Sequence, residues 1–144
     1  MSWFKRERKM SAVEAEDVGC GSFDTQVVGE SQYQAAIARA AAASTERADG
    51  YPVIFVGLVR EPDNKFDSNA VQVHASSIGV VGYLERSRAA EWAPFLDRLA
   101  RKGEHAACRA IIIGGPERKR ESYGVVLDLD QDYLDSSGRR KGNR

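Results

Sequence analysis

The sequence predicts a mainly β fold with helical insertions (α+β), in which five to six short strands curl into a small, partly open barrel. Three observations predict it. Apolar or alternating runs of strand length recur at 23–29, 53–59, 70–74, 78–84, 106–113 and 123–129, with Gly, Pro, Asp or Ser close to their ends. Two segments, 33–43 and the stretch after Ser87, instead space their apolar residues as a helix does. No strand–helix–strand alternation repeats. That argues against a parallel sheet and leaves a barrel as the way for so few strands to cover their edges.

The elements follow in order. The first run ends in Val27-Val28-Gly29, a strand leading into a turn. Residues 33–43 are rich in Ala, with Tyr33, Ile37, Ala40 and Ala41 at helical spacing and Ser31 placed as the N-cap. The polar stretch 44–50 closes on Asp49-Gly50, a turn signal. Residues 53–59 predict a strand buried on both faces or nearly so, and it must stop by Pro62, which cannot donate to a ladder. An alternating strand follows at 70–74. After a turn at Ser76-Ser77, Gly79 and Gly82 within 78–84 predict strong bending or close backbone approach. Ser87 can cap the next helix, on which Trp92, Phe95, Leu96 and Leu99 form one apolar stripe. Pro94 predicts two helical pieces, the second starting near it, and Gly103 predicts the C-cap. The run Ile111-Ile112-Ile113 is broken by Gly114-Gly115-Pro116, and its spacing from 123–129 predicts a hairpin.

A chain of 144 residues, 42% hydrophobic, is one domain with one modest core. The expected boundaries are a flexible tail over 1–22, in which Trp3, Phe4 and Met10 can dock, a packed domain over 23–130, and a charged tail over 131–144. Basic and acidic residues balance at 21 each, but unevenly along the chain. Lys5, Arg6, Arg8 and Lys9 crowd one end, Arg118, Lys119 and Arg120 share a late loop, and Arg139, Arg140, Lys141 and Arg144 close the chain. Such runs act as solvated tails or track phosphate. Cys20, Cys108, His74 and His105 lack zinc spacing, and Cys108 reads as a core residue. No apolar stretch approaches the about 20 residues that span a membrane, and no signal peptide is recognisable. The expected setting is reducing, intracellular and cytoplasmic.

Residues 58–70 hold the richest chemistry: Leu58-Val59-Arg60-Glu61-Pro62-Asp63-Asn64-Lys65-Phe66-Asp67-Ser68-Asn69-Ala70. One reading is a rigid connection. Pro62 fixes φ, Asp63 and Asn64 build an Asx-turn, Asp67 and Asn69 tie down the next strand, and Phe66 plugs the barrel end. The other reading turns the same groups outward, where a carboxylate can accept from a sugar hydroxyl and an amide can meet a base edge or phosphate. The oxygen ligands of Asp63, Asn64, Asp67 and Asn69 do not follow EF-hand spacing, so no metal is expected. There is no nucleophile elbow, no His beside a nucleophile and no Gly-Lys-Ser/Thr P-loop. The expectation is a non-enzyme without a cofactor.

Together with Gly79-Val80-Val81-Gly82-Tyr83-Leu84, this loop resembles the signature of the HIRAN domain family, β-rich modules best known at the N-termini of DNA-remodelling and repair helicases. The similarity spans roughly 23–129 and is most specific in Glu61-Pro62-x-Asn64-x-Phe66-Asp67-x-Asn69-Ala70-Val71 and Gly82-Tyr83-Leu84. The barrel would then be OB-like and would grip the 3′ end of single-stranded DNA. The resemblance puts Asp67 where a carboxylate receives the terminal 3′-hydroxyl, and Asn64, with Asp63 beside it, where the pocket is shaped. Tyr83 falls where DNA-binding members can present a His toward phosphate, and Arg86 could supply the cation. The stretch that stacks on terminal bases is here Glu30-Ser31-Gln32-Tyr33, with one ring. Tyr33 either stacks on a base or anchors the Ala-rich helix. Tyr123 is a candidate for the other face of the pocket or an ordinary strand aromatic. Two functions follow. One is a non-catalytic module for single-stranded DNA 3′ ends in repair or replication-fork processing, with a helicase or nuclease in trans. The other is a protein-interaction module, or accessory subunit, whose DNA pocket has decayed.

Overall fold

The computed structural model describes residues 15–119 and 122–141. Among these, the strands and helices in chain order are β1 Ala15–Asp17, β2 Thr25–Val28, α1 Gln34–Ala43, β3 Glu46–Ala48, β4 Tyr51–Arg60, β5 Val71–Ala75, β6 Gly79–Leu84, α2 Arg86–Arg101, β7 His105–Gly114 and β8 Tyr123–Leu127. The sheet runs β1-β7-β8-β2-β6-β5-β4-β3, and β4 pairs again with β7, which closes a six-stranded OB-like barrel with β1 and β3 at its margins.

The barrel is closed, where the sequence predicted a partly open one. The reason is the length of β4. It pairs antiparallel with β7 from Val53↔Ile111 to Leu58↔Ala106, and with β5 from Val56↔Ala75 to Arg60↔Val71. A ten-residue strand can fill both sides of its ladder and leave little edge. Its burial is one-sided at Phe55, which is 60% exposed, because the outer face of a barrel strand is covered only where a helix lies over it. β7 alternates more clearly: Ala106, Cys108, Ala110 and Ile112 are buried between half-buried neighbours.

The helices lie against the barrel, α1 on β4, β6 and β8 and α2 on β4 and β7. Trp92, Phe95, Leu96 and Leu99 are all buried, as the stripe predicts. Trp92 meets Phe95 edge-on at 5.6 Å and stacks on Tyr133 at 5.9 Å. Pro94 does not divide α2. It sits on the exposed face, where a carbonyl left without its helical donor can be hydrated. Glu85, rather than Ser87, is the N-cap: its carboxylate accepts the Ser87 N–H at 2.9 Å and the Ser87 hydroxyl at 2.6 Å. At the other end Lys102 is the C-cap and Gly103 follows it at φ 75, with Gly103 N–H on the Ala100 carbonyl and Glu104 N–H on that of Leu99, a Schellman ending. Ser31 does not cap α1. It lies in a 3-10 turn over Glu30–Gln32, and Tyr33 takes the N-cap position without a side-chain bond.

β3 was not predicted. It forms a hairpin with β4 across Asp49-Gly50, whose φ values of 51° and 82° are those of a type I′ turn. The packed domain also exceeds 23–130 at both ends. β1 pairs in parallel with β7, and Val18 is fully buried. Tyr133 and Leu134 join the core, and Leu134 bridges to Arg140. Trp3, Phe4, Met10, the basic residues Lys5, Arg6, Arg8 and Lys9, and Arg120 and Arg144 lie outside the described residues. Among the described residues no helix is long and apolar enough to cross a membrane, and no group of three or more His, Cys, Asp or Glu could hold a metal ion.

Gly82 shows why β6 tolerates only hydrogen at one position. A Cβ there would lie 2.3 Å from Val27 Cγ1 and 2.8 Å from the Val28 carbonyl oxygen across the β2–β6 ladder. Gly82→Ala is expected to destabilise the fold by about 1–3 kcal/mol. A urea midpoint equal to that of the wild type would show that β2 moves aside at no cost.

Candidate nucleic-acid interface

The loop between β4 and β5 is fastened before any ligand arrives. Arg60, its side chain 16% exposed, places Nε 3.1 Å from Asp97 Oδ1 on α2. Its Nη1 donates to the carbonyls of Ser68 at 2.9 Å and Ala70 at 3.2 Å. Glu61 N–H donates to the Ala70 carbonyl, closing the loop at its neck. Inside it, Asn64 Oδ1 accepts the N–H groups of Phe66 at 2.9 Å and Asp67 at 3.0 Å. Asp67 Oδ1 in turn accepts Asn69 N–H at 2.9 Å. These are the Asx-type bonds that a rigid connection requires.

The outward groups converge on the same loop. Asp67 Oδ2 faces Arg86 Nε at 3.7 Å, and Arg86 Nη2 donates to the Phe66 carbonyl at 3.2 Å. Tyr83 donates its hydroxyl to Glu61 Oε1 at 2.7 Å, and Asn64 Nδ2 donates to the same oxygen at 3.3 Å. The Tyr33 ring lies 6.5 Å from that of Tyr83, tilted by 46°. Tyr33, Tyr83, Asn64, Asp67 and Arg86 therefore form one connected surface. Asp63 is exposed on the loop and is not joined to them by any hydrogen bond or ion pair among the described residues. Phe66 does not plug the barrel end. The Asn64 and Arg86 bonds hold its backbone at the loop tip, and it is 87% exposed.

Glu61 is the member that the sequence left unassigned, although it opens the signature. It is the hub between the phenol and the Asn64 amide. The Tyr83 hydrogen bond holds its carboxyl below the ordinary value. Burial, and then the Glu61 carboxylate, push the Tyr83 phenol well above its ordinary range. The Tyr83 proton is thus committed to Glu61, and Tyr83 keeps only acceptor capacity. Arg86 is held by Asp67 and the Phe66 carbonyl, and its side chain is 77% exposed.

An OB-like barrel with a polar, fastened loop at its rim defines the class. The HIRAN domain family model matches residues 20–129, and the chain belongs to that family, one known for nucleic-acid binding. The HIRAN domain of human HLTF is similar over 72% of this chain and 71% of its own, at 20% identity and a TM-score of 0.41. A protein from Lactobacillus plantarum is similar over 74% of this chain and 88% of its own, at 24% identity and a TM-score of 0.46. No curated protein matches the chain.

The lowered carboxyl of Glu61 makes a pH prediction. A carboxyl with a depressed folded pKa stabilises fully above its unfolded value, here 4.5, and loses that contribution as pH falls through the folded value. Glu61→Gln is expected to flatten the fall in urea midpoint below pH 4.5 relative to wild type. Parallel curves for the two proteins would remove Glu61 as the hub.

Proposed function

We propose that this domain is a non-catalytic module that binds single-stranded DNA and holds its 3′ end at the β4–β5 loop. It would serve repair or replication-fork processing beside a helicase or nuclease supplied in trans. The observation that carries the reading is the convergence on Asp67. Its carboxylate is fixed by Asn69, faced by Arg86, and 20% exposed. A terminal 3′-hydroxyl can donate to it in a charge-assisted bond of about 2.5–2.7 Å. Arg86 then meets the phosphate next to the end, and the half-buried rings of Tyr33 and Tyr83 offer edges and faces to a base. Stacking of that kind contributes about 1–3 kcal/mol per base.

Charge explains the choice of end. A 3′-phosphate would bring negative charge against both Asp67 and Glu61, whereas a hydroxyl brings a donor. A second reading rests on Phe66, whose exposure suits a protein partner better than a phosphate.

Fluorescence anisotropy at low salt with a short single strand separates them. Wild type is expected to prefer a free 3′-hydroxyl over a 3′-phosphate by about tenfold or more, the worth of one good charged hydrogen bond. Asp67→Ala should abolish that preference. Equal binding of both ends by wild type would overturn the end-recognition reading, and no binding at all would favour the protein partner.

A further inference from the structure

We infer that a second part of the surface, a cleft between α1, the β3–β4 hairpin and the β7–β8 connection, takes the phosphodiester backbone of a single strand leading away from the loop. This rests on the DNA-end reading above and extends it.

The cleft has a volume of about 330 Å³. Its lining includes the small apolar groups of Ala38, Ala42 and Pro52 together with Arg47 and Arg118. No carboxylate is among its described lining residues. Each arginine is placed there by local structure. On β3 the side chains alternate, so Glu46 pairs with Arg109 while Arg47 projects into the cleft and stays exposed. Arg118 donates to the Gly50 carbonyl at 2.6 Å and lies 4.2 Å over the Tyr51 ring, which holds its guanidinium at the hairpin. Two cations in a cleft with no facing carboxylate among the described residues suit a chain of anions, and Tyr123 in its lining offers a ring to a base, which together describe a nucleotide chain.

The cleft is linked to the loop surface through the start of α1. Tyr33 sits beside Tyr83 at one end of α1. The next residue, Gln34, accepts the Tyr123 N–H at 2.8 Å and donates to the Tyr123 carbonyl at 3.1 Å, and Tyr123 lines the cleft. The span is bounded by β4, which runs from the hairpin at Tyr51 to the loop at Arg60, about 30 Å at 3.3 Å per residue. About nine nucleotides at the 3.4 Å spacing of a stacked strand reach across it. The charges are graded to match: carboxylates stand where the terminal hydroxyl would lie, and guanidinium groups where internal phosphates would lie.

The test compares single strands of three and twelve nucleotides, each prepared with a free 3′-hydroxyl and with a 3′-phosphate, by anisotropy over a range of salt. The proteins are wild type, Arg47→Gln, Arg118→Gln and Asp67→Ala, with circular dichroism to check folding. Wild type should gain affinity with length. Each arginine variant should lose about threefold to tenfold on the long strand and lower the magnitude of the log–log salt slope by about 0.7, with the short strand and the 3′-hydroxyl preference unchanged. Arg47 is the cleaner position, because Arg118 also holds the hairpin. If the 3′-hydroxyl preference is present but length and both arginines have no effect, the cleft inference falls and end recognition stands. If length and the arginines matter without any end preference, end recognition falls and the phosphate track stands. Failure of every strand to bind overturns both.

Discussion

Closure of the barrel by the β4–β7 ladder is the constraint on which the rest depends. Six consecutive register pairs, from Val53↔Ile111 to Leu58↔Ala106, join the strands that would otherwise be the two open edges of a curled sheet. The same strand fixes both parts of the proposed binding surface. At its start the Asp49-Gly50 turn hangs β3 and its Arg47 beside α1. At its end the Arg60 side chain clamps the β4–β5 loop to α2 through Asp97. A slip of one residue in that ladder would invert its buried and exposed sides and move both parts at once.

The two readings of the signature loop turn out to use one set of bonds. Asn64 spends its carbonyl on the backbone of Phe66 and Asp67 and its amide on Glu61. Asp67 spends one oxygen on Asn69 and keeps the other toward Arg86. Rigidity and recognition are therefore not alternatives here. A carboxylate already held in one rotamer loses less conformational freedom on meeting a hydroxyl than one that must be ordered at that moment. The ion pair with Arg86 adds little to stability, since that guanidinium is mostly in water. Its value lies in keeping a cation at the loop that can change partners.

How much was legible in the sequence follows from how local each cause is. β7 declared itself because 106–113 is an apolar run of strand length with three successive isoleucines, stopped by Gly114-Gly115-Pro116, and α2 because its stripe is continuous. β1 and β3 are three residues each, too short for a period, and β1 is held by a parallel pairing with a strand some ninety positions away. Pro94 misled because its cost depends on whether its face is wet, which sequence does not state. Ser87 misled because the helix starts one residue before it, and Glu85 as N-cap accepts both the N–H and the hydroxyl of Ser87. At the site, the loop residues were visible as a motif. The role of Glu61 was not, since it depends on Tyr83, 22 positions on in the chain. Phe66 was read as apolar and so buried, but the Asx bonds of Asn64 set its direction instead.

A formal charge of zero is an awkward property for the DNA-binding role proposed above, and the local pairing of charges offers a way to reconcile the two. Long-range steering by net charge is absent, so attraction must be local and held within about a Debye length, ~8–10 Å in ordinary salt. Local attraction works only if opposite charges are kept apart. Here Glu46 is neutralised by Arg109 on the outer side of β3, which leaves Arg47 unopposed in the cleft. Asp97 is taken up by Arg60 beneath the loop, and Glu61 is satisfied by Tyr83 and Asn64. These three carboxylates are thus engaged with protein partners. Asp67 keeps one oxygen facing only the loosely held Arg86, a place where a donor rather than an anion would be received. A strand bound in this way would be oriented by the protein's local charge pattern, with its hydroxyl end and its phosphates sorted to different sides.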